Sequence, residues 1–183
     1  MNKYVRGVIC GANGFLKVSL LKIQHMHHLN VSIPCFLSPF SEITMERKAQ
    51  LKVGKKYRMR GGSKLRIRNN AIITIGDDIS INHGCIIVCR EKIEIGNKVQ
   101  FGPNVLIYDH DHDYKSPGGV SNGKYICEAI SIGENTWIGA GSIILKGAHI
   151  GKNVTVAAGS VVRGVIPDNS LFYQKRECNT IKY

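Results

Sequence analysis

Along residues 132–162 one aliphatic position recurs every six residues: Ile132, Ile138, Ile144, Ile150, Val156 and Val162. Gly133, Gly139 and Gly151 follow three of them, and Ala157 follows a fourth. Four places after each aliphatic stands a mostly small side chain: Thr136, Ser142, Ala148, Val154 and Ser160. A helix repeats near 3.6 residues and a strand near 2, so a period of six is neither alone. It predicts a short strand and a corner, repeated. Three such units close one triangular coil of about 18 residues, and coils stack at the interstrand spacing of about 4.8 Å. The aliphatic side chain points into the prism, the small one lets the narrow interior close, and glycine serves where the backbone turns tightly. The same spacing appears upstream in Ile95, Phe101 and Ile107, and in Ile75, Ile81 and Ile87. Two-residue shifts of register at Ile73/Ile75 and Ile93/Ile95 predict slightly enlarged coils. Before Ile67 the pattern is ragged, with Val53-Gly54 as the start of a degenerate coil. Six consecutive units in register set the chain apart from a generic β-sandwich.

A solenoid needs its ends covered, because each end leaves a row of unpaired backbone groups. Residues 2–28 carry apolar side chains at roughly helical spacing (Phe15, Leu16, Leu20, Leu21, Ile23) and predict a helical cap. The rival reading is a helix lying on a membrane surface, since its charges are basic. The expected organisation is a cap and lead-in over 1–50, a solenoid over 51–169, and a C-terminal tail over 170–183 that packs across the other end.

The repeat breaks once, between Ile107 and Ile132. The break opens on Tyr-Asp-His-Asp-His-Asp-Tyr (108–114) and continues through Ser-Pro-Gly-Gly and a further Gly at 123. A solenoid accommodates an insertion only when the loop leaves the coil, and such loops concentrate function. Extended backbone puts His110 and His112 on one side, and Asp109, Asp111 and Asp113 on the other. A neutral imidazole suits proton abstraction at neutral pH, and a neighbouring carboxylate can fix its tautomer. The alternatives are a solvated turn or a metal site. A metal site of this kind gathers three histidines, and only His83 among His25, His27, His28, His83 and His149 is a candidate third ligand. No metal is expected.

Composition narrows the partners. The chain has 183 residues, with 25 Lys+Arg against 13 Asp+Glu and a formal charge of +12. That balance suits an anionic partner. Aromatics make up only 7%, and no nucleic-acid-binding motif is present, so nucleic acid is not expected. The six cysteines (Cys10, Cys35, Cys85, Cys89, Cys127, Cys178) form no CxxC pair and sit mostly among aliphatics. They read as reduced thiols of a cytoplasmic protein, with Cys85 and Cys89 filling the core. The segment Tyr4–Ile23 is broken by Arg6, Lys17 and Lys22, so neither a membrane span nor a signal peptide is expected.

From about Val53 to Pro167 the chain resembles the hexapeptide-repeat acyltransferases. It is most similar to the maltose/galactoside and capsular or exopolysaccharide O-acetyltransferases. The resemblance is carried by Ile93–Gly96 (IEIG), Phe101–Tyr114 (FGPNVLIYDHDHDY), Thr136–Gly141 (TWIGAG) and Val156–Val162 (VAAGSVV). It implies an all-β fold, a left-handed parallel β-helix with an N-terminal helical cap and one extruded loop, about 109–128. It also implies a homotrimer with active sites between subunits, acetyl-CoA as acyl donor and a carbohydrate acceptor.

By the same resemblance His112 is the general base, with His110 in reserve. Ala140 offers an N–H to the thioester oxygen, Ala158 lines the pantetheine path, and Arg163 lies near the CoA phosphates. Asn82, His83 and Asp109 fall on the acceptor side. Trp137 precedes an inward Ile and is expected to face outward, lining the ligand cleft or a subunit contact. The chain departs from the family at Val162-Arg163-Gly164 and at Tyr173-Gln174-Lys175-Arg176, where Lys175 and Arg176 are candidates for the missing phosphate-end charge. The implied activity is O-acetylation of a sugar hydroxyl, on a cell-surface polysaccharide or its precursor, in the cytoplasm or at the inner face of the membrane. The basic N-terminal segment suits peripheral membrane contact there. The alternatives are N-acetylation of an amino or nucleotide sugar, a metal enzyme like the γ-type carbonic anhydrases, and a non-catalytic scaffold.

Overall fold

The computed structural model describes residues 2–175, 177 and 179–182. Three parallel sheets of seven, seven and six strands form the faces of a left-handed triangular β-helix. The first face runs from Leu29–Val31 to Val165–Ile166, the second from Cys35–Leu37 to Leu171–Phe172, and the third from Glu42–Met45 to Val161–Val162. The repeating aliphatics fill the prism: Ile138, Ile144, Val156 and Val162 are fully buried, as are the small partners Ser142 and Ala148.

The solenoid spans Leu29–Phe172, more than the 51–169 that the repeat suggests. Pairing explains the ragged start. Leu29 sits under Leu51 and Leu51 under Ile73, a step of 22 residues; Ile73 sits under Ile93, a step of 20. Ile132 to Ile150 takes 18 and Ile150 to Ile166 only 16. The early corners are longer, and the inward positions hold Cys35, Leu37, Tyr57 and Met59 in place of a uniform aliphatic. The period of six is thus lost while the stacking is kept. At the first-to-second corner of the last coils, Asn135, Asn153 and Asn169 take left-handed φ of 58°, 54° and 56°, a conformation asparagine tolerates. Their amides form a ladder, Asn135 to Asn153 at 2.8 Å and Asn153 to Asn169 at 2.9 Å.

One helix, Lys3–Gln24, caps the first coil, packing mainly on Cys35–Leu37. Asn2 opens it by accepting the Tyr4 N–H at 3.0 Å. The contact is close: a Cβ on Gly14 would lie 2.4 Å from the Cys35 carbonyl oxygen, so only glycine fits. Edge carbonyls of the first coil find donors on the helix. Asn13 donates to the Leu37 oxygen at 2.9 Å, and the Lys17 ammonium donates to Ser38 at 3.2 Å, Pro39 at 3.1 Å and Ser41. Burial in that position pushes the Lys17 amine down from its ordinary value.

Of the apolar residues that predicted the cap, only Leu21 helps to make it. Val18 is buried and Leu21 packs on the core, but Phe15, Leu16, Leu20 and Ile23 are 53–77% exposed. The helix docks through a narrow side of glycine, amide, ammonium and valine, and its broad apolar side faces out. At the other end Phe172 packs against the core, and the Gln174 side-chain amide bonds both the N–H and the C=O of Val161 at 3.0 and 3.1 Å, standing in for a further strand. Cys10, Cys35, Cys85, Cys89 and Cys127 are free thiols; Cys178 and Arg176 lie outside the described residues.

Candidate active site

The chain leaves the third face after Leu106–Tyr108, runs out as His110–His112, turns through a short helical turn at Gly119–Asn122, and returns antiparallel as Tyr125–Cys127. His110 pairs with Cys127 and His112 with Tyr125. Asp113 sets the turn by accepting from the amides of Lys115 and Ser116, both at 3.2 Å, and from the Ser116 hydroxyl. That hydroxyl bond is the main reason the Asp113 carboxyl sits below its ordinary range.

The hairpin is anchored at Asp109, whose side chain is 0% exposed. Its carboxylate accepts from the backbone N–H of Arg90 (2.8 Å), Glu91 (2.8 Å) and Lys92 (3.1 Å), which form the corner of the preceding coil. The Cys89 thiol donates to it at 3.2 Å. Burial alone pushes this carboxyl up, but the bonds from His110, Glu91, Arg90 and Cys89 outweigh it, and the net direction is down.

The fifth donor is His110, whose Nδ1 lies 2.9 Å from Asp109 Oδ1. A carboxylate partner requires N–H at Nδ1, which leaves Nε2 of the neutral ring as an acceptor. The ring is enclosed edge-on by Tyr108 at 5.9 Å and Tyr125 at 5.4 Å, and the side chain is only 11% exposed. His112 is exposed and lies against Tyr125 at 4.6 Å. Both imidazoles meet one phenol, so they share a side of the strand, as the alternation predicts. Arg90 covers the Tyr125 ring, its guanidinium carbon 3.3 Å from the centroid. Arg90 and Tyr125 were invisible as site residues in the sequence. Tyr125 lies at the far end of the insertion, and Arg90 arrives only because coils stack.

The aspartates do not act as one set. Asp111 pairs with Arg163 at 3.1 Å, which ties the hairpin to the end of the third face two coils on. Arg163 is therefore held at the histidine edge by a carboxylate. The remaining expected residues gather on a different edge, between the second and third faces. There a backbone ladder runs from His83, whose oxygen accepts from Asn104 N at 2.9 Å, through Pro103 and Gly141 (2.8 Å) to Ala140 and Gly159 (2.8 Å). Asn82 accepts the His83 N–H at 2.9 Å, and His83 Nδ1 lies 3.3 Å from the Gly61 oxygen. Ala140 and Ala158 are exposed at this edge, and Trp137 is 55% exposed on the adjoining second face. One face, about 10 Å wide at 3.3 Å per residue, separates Ala140 and Ala158 from the histidines in a single chain. Among the described residues no three His, Cys, Asp or Glu side chains gather as metal ligands, and His83 belongs to the other edge.

Residues 129–164 match the family model of the bacterial transferase hexapeptide, six repeats. These residues carry the hexapeptide repeat of bacterial transferases. The chain is 41% identical over 97 residues to the galactoside O-acetyltransferase of Lactococcus lactis, covering 53% of this chain and 46% of that one. It is 26% identical over 173 residues to the putative lipopolysaccharide biosynthesis O-acetyl transferase WbbJ of Escherichia coli, covering 88% and 84%. The chain spans less than half the length of the curated relatives it matches at about 40% identity. Among solved structures, an N-acyltransferase of Bacillus cereus, AntD, in complex with dTDP and coenzyme A superposes with a TM-score of 0.70 at 20% identity, covering 90% of this chain and 89% of that one. That likeness bears on the fold. The hexapeptide solenoid with one hairpin expelled from its fourth coil is the architecture expected from the repeat and its single break.

Proposed function

We propose that the protein transfers the acetyl group of acetyl-CoA to a hydroxyl of a carbohydrate, with His112 as general base, in a cleft between neighbouring copies. The observation that carries this reading is the hairpin itself: two imidazoles on one side of a strand, set on a carboxylate that is buried and saturated with donors. His112 receives the hydroxyl proton as the oxygen attacks the thioester carbonyl. The C–S bond then breaks, and the departing thiolate takes the proton back from the imidazolium. His112 is assigned over His110 because its ring is open to a substrate, whereas His110 is enclosed by Tyr108 and Tyr125 and bonded to Asp109. His110 then positions the strand that presents His112.

The reading requires a second copy. Ala140, the proposed donor to the carbonyl oxygen, sits on the other edge of the third face from the histidines, so a neighbouring chain supplies it. The outward positions of that face support this. Where a solvated face would carry polar side chains, its last four coils present Ile86, Leu106, Ile143 and Val161, with Tyr108 and Leu145 beside them. A trimer buries them and brings the two kinds of edge together. The galactoside and lipopolysaccharide acetyltransferase relatives support a sugar acceptor, with a cell-surface polysaccharide or its precursor as the favoured class, and the donor supports a cytoplasmic site.

The test is thiol release from acetyl-CoA with single variants. His112→Ala is expected to lower turnover by about 10²–10⁴-fold with little change in unfolding temperature. His110→Ala is expected to cost less in turnover and more in stability. The opposite ranking would transfer the base role to His110, and full activity in both would remove histidine catalysis altogether.

A further inference from the structure

The cap helix leaves a large surface unexplained. Gly14, Val18 and Leu21 face the solenoid. Val5, Val8, Ile9, Leu16, Leu20 and Ile23 are 40–77% exposed, and the aromatic rings of Tyr4 (81%) and Phe15 (64%) lie beside them. At 100° per residue this stripe is centred roughly opposite Gly14, while Arg6 and Lys22 fall roughly 80° to either side of Gly14, on its two borders. No Asp or Glu occurs before Glu42. The lead-in and first coil add Met26, Ile33 and Phe40, at 72%, 62% and 84% exposed. Among the described residues no helix is long and apolar enough to cross a membrane.

We propose that this helix is an interfacial anchor. It lies in the plane of an anionic bilayer, its stripe in the acyl boundary and its two bordering cations among the lipid phosphates. A wide apolar stripe with cations on both borders and no carboxylate on the helix is complementary to anionic headgroups. It is not complementary to a second copy of a chain whose formal charge is +12. The helix already buries its opposite side on the first coil, so it meets a membrane as a preformed, oriented element and not as a peptide that must first fold. This inference does not depend on acetyl transfer.

The test is flotation of the full chain with phosphatidylcholine vesicles, with and without phosphatidylglycerol. The expected result is capture by the phosphatidylglycerol vesicles, weakened by added salt, and weak capture by phosphatidylcholine alone. The double variant Leu16→Glu, Ile23→Glu is expected to bind about tenfold more weakly or worse while keeping its unfolding temperature and its sedimentation mass. Arg6→Glu, which leaves the stripe intact, is expected to weaken only the salt-sensitive part. No capture by anionic vesicles, or equal capture of the double variant, would overturn the proposal. A fall in oligomeric mass on the double substitution would also overturn it, and would make the stripe a contact between subunits.

Discussion

Replacing Asp109 by alanine is the substitution that most tests the site as a built object. The carboxylate takes three backbone N–H groups, a thiol and an imidazole, at 0% exposure. A buried donor left without an acceptor costs about 1–3 kcal/mol. Arg90 and Lys92 are half-buried and Glu91 is exposed, so water recovers part of that, and the net loss is about 2–4 kcal/mol for the three amides. At about 2–4 °C per kcal/mol for a chain of this size, the unfolding temperature falls by roughly 5–15 °C. Asp111→Ala is the control. Its pair with Arg163 is substantially exposed and is worth about 0–1 kcal/mol.

The pH dependence gives a second signature of Asp109. Its folded pKa lies below the ordinary carboxyl value, so its stabilisation is complete above that ordinary value and drains as pH falls through the depressed one. Wild type loses stability over that acid window, and the alanine variant shows a flatter acid limb. Chemical denaturation at neutral and acid pH measures both. A variant within about 0.5 kcal/mol of wild type, a size typical of surface substitutions, would refute the reasoning that Asp109 organises the hairpin base.

Other expectations follow from stacking and burial. A Cβ on Gly139 would lie 2.5 Å from the Ala158 nitrogen and 2.7 Å from the Val156 oxygen. Gly139→Ala should therefore cost about 1–3 kcal/mol in denaturant unfolding; Gly7, helical with nothing within 4 Å, should gain about 0.5–1 kcal/mol on the same change. Burial pushes the Cys35, Cys85 and Cys89 thiols up, and Cys89 is raised further by the Asp109 carboxylate. Among the five described cysteines, thiol titration of the folded protein at neutral pH should spare these three and modify the half-buried Cys10 first. Fast labelling of Cys89 would mean that the Asp109 corner opens.

The repeat made the prism legible because the inward residue of each short strand is dictated by a space that only an aliphatic fills, and a corner every six residues leaves a period that nothing else produces. It faded where corners lengthened: Leu29, Leu51 and Ile73 stack in register at steps of 22, and the six-residue spacing within each coil is gone. The hairpin was legible as a break, and the exposure of Trp137 followed from its place before an inward isoleucine. Tyr125 and Arg90 were not legible, since they reach the histidines through antiparallel return and coil stacking, not through sequence spacing. The cap helix shows a different limit. Helical spacing identified it, but the choice of face was decided by the need to bring Gly14 against a backbone carbonyl and to satisfy edge carbonyls with Asn13 and Lys17. Hydrophobicity alone would have turned the other side inward.

The most direct measurement is mass analysis of hydroxyl and amino sugars after incubation with the protein and acetyl-CoA, with CoA release followed in parallel. The account predicts a sugar that gains one acetyl group on oxygen, in step with CoA released, and loss of that product in His112→Ala. Acetylation confined to the amine of amino sugars would contradict the hydroxyl acceptor, and CoA release without an acetylated sugar, or no release with any acceptor, would contradict acetyl transfer to carbohydrate as the function of this solenoid.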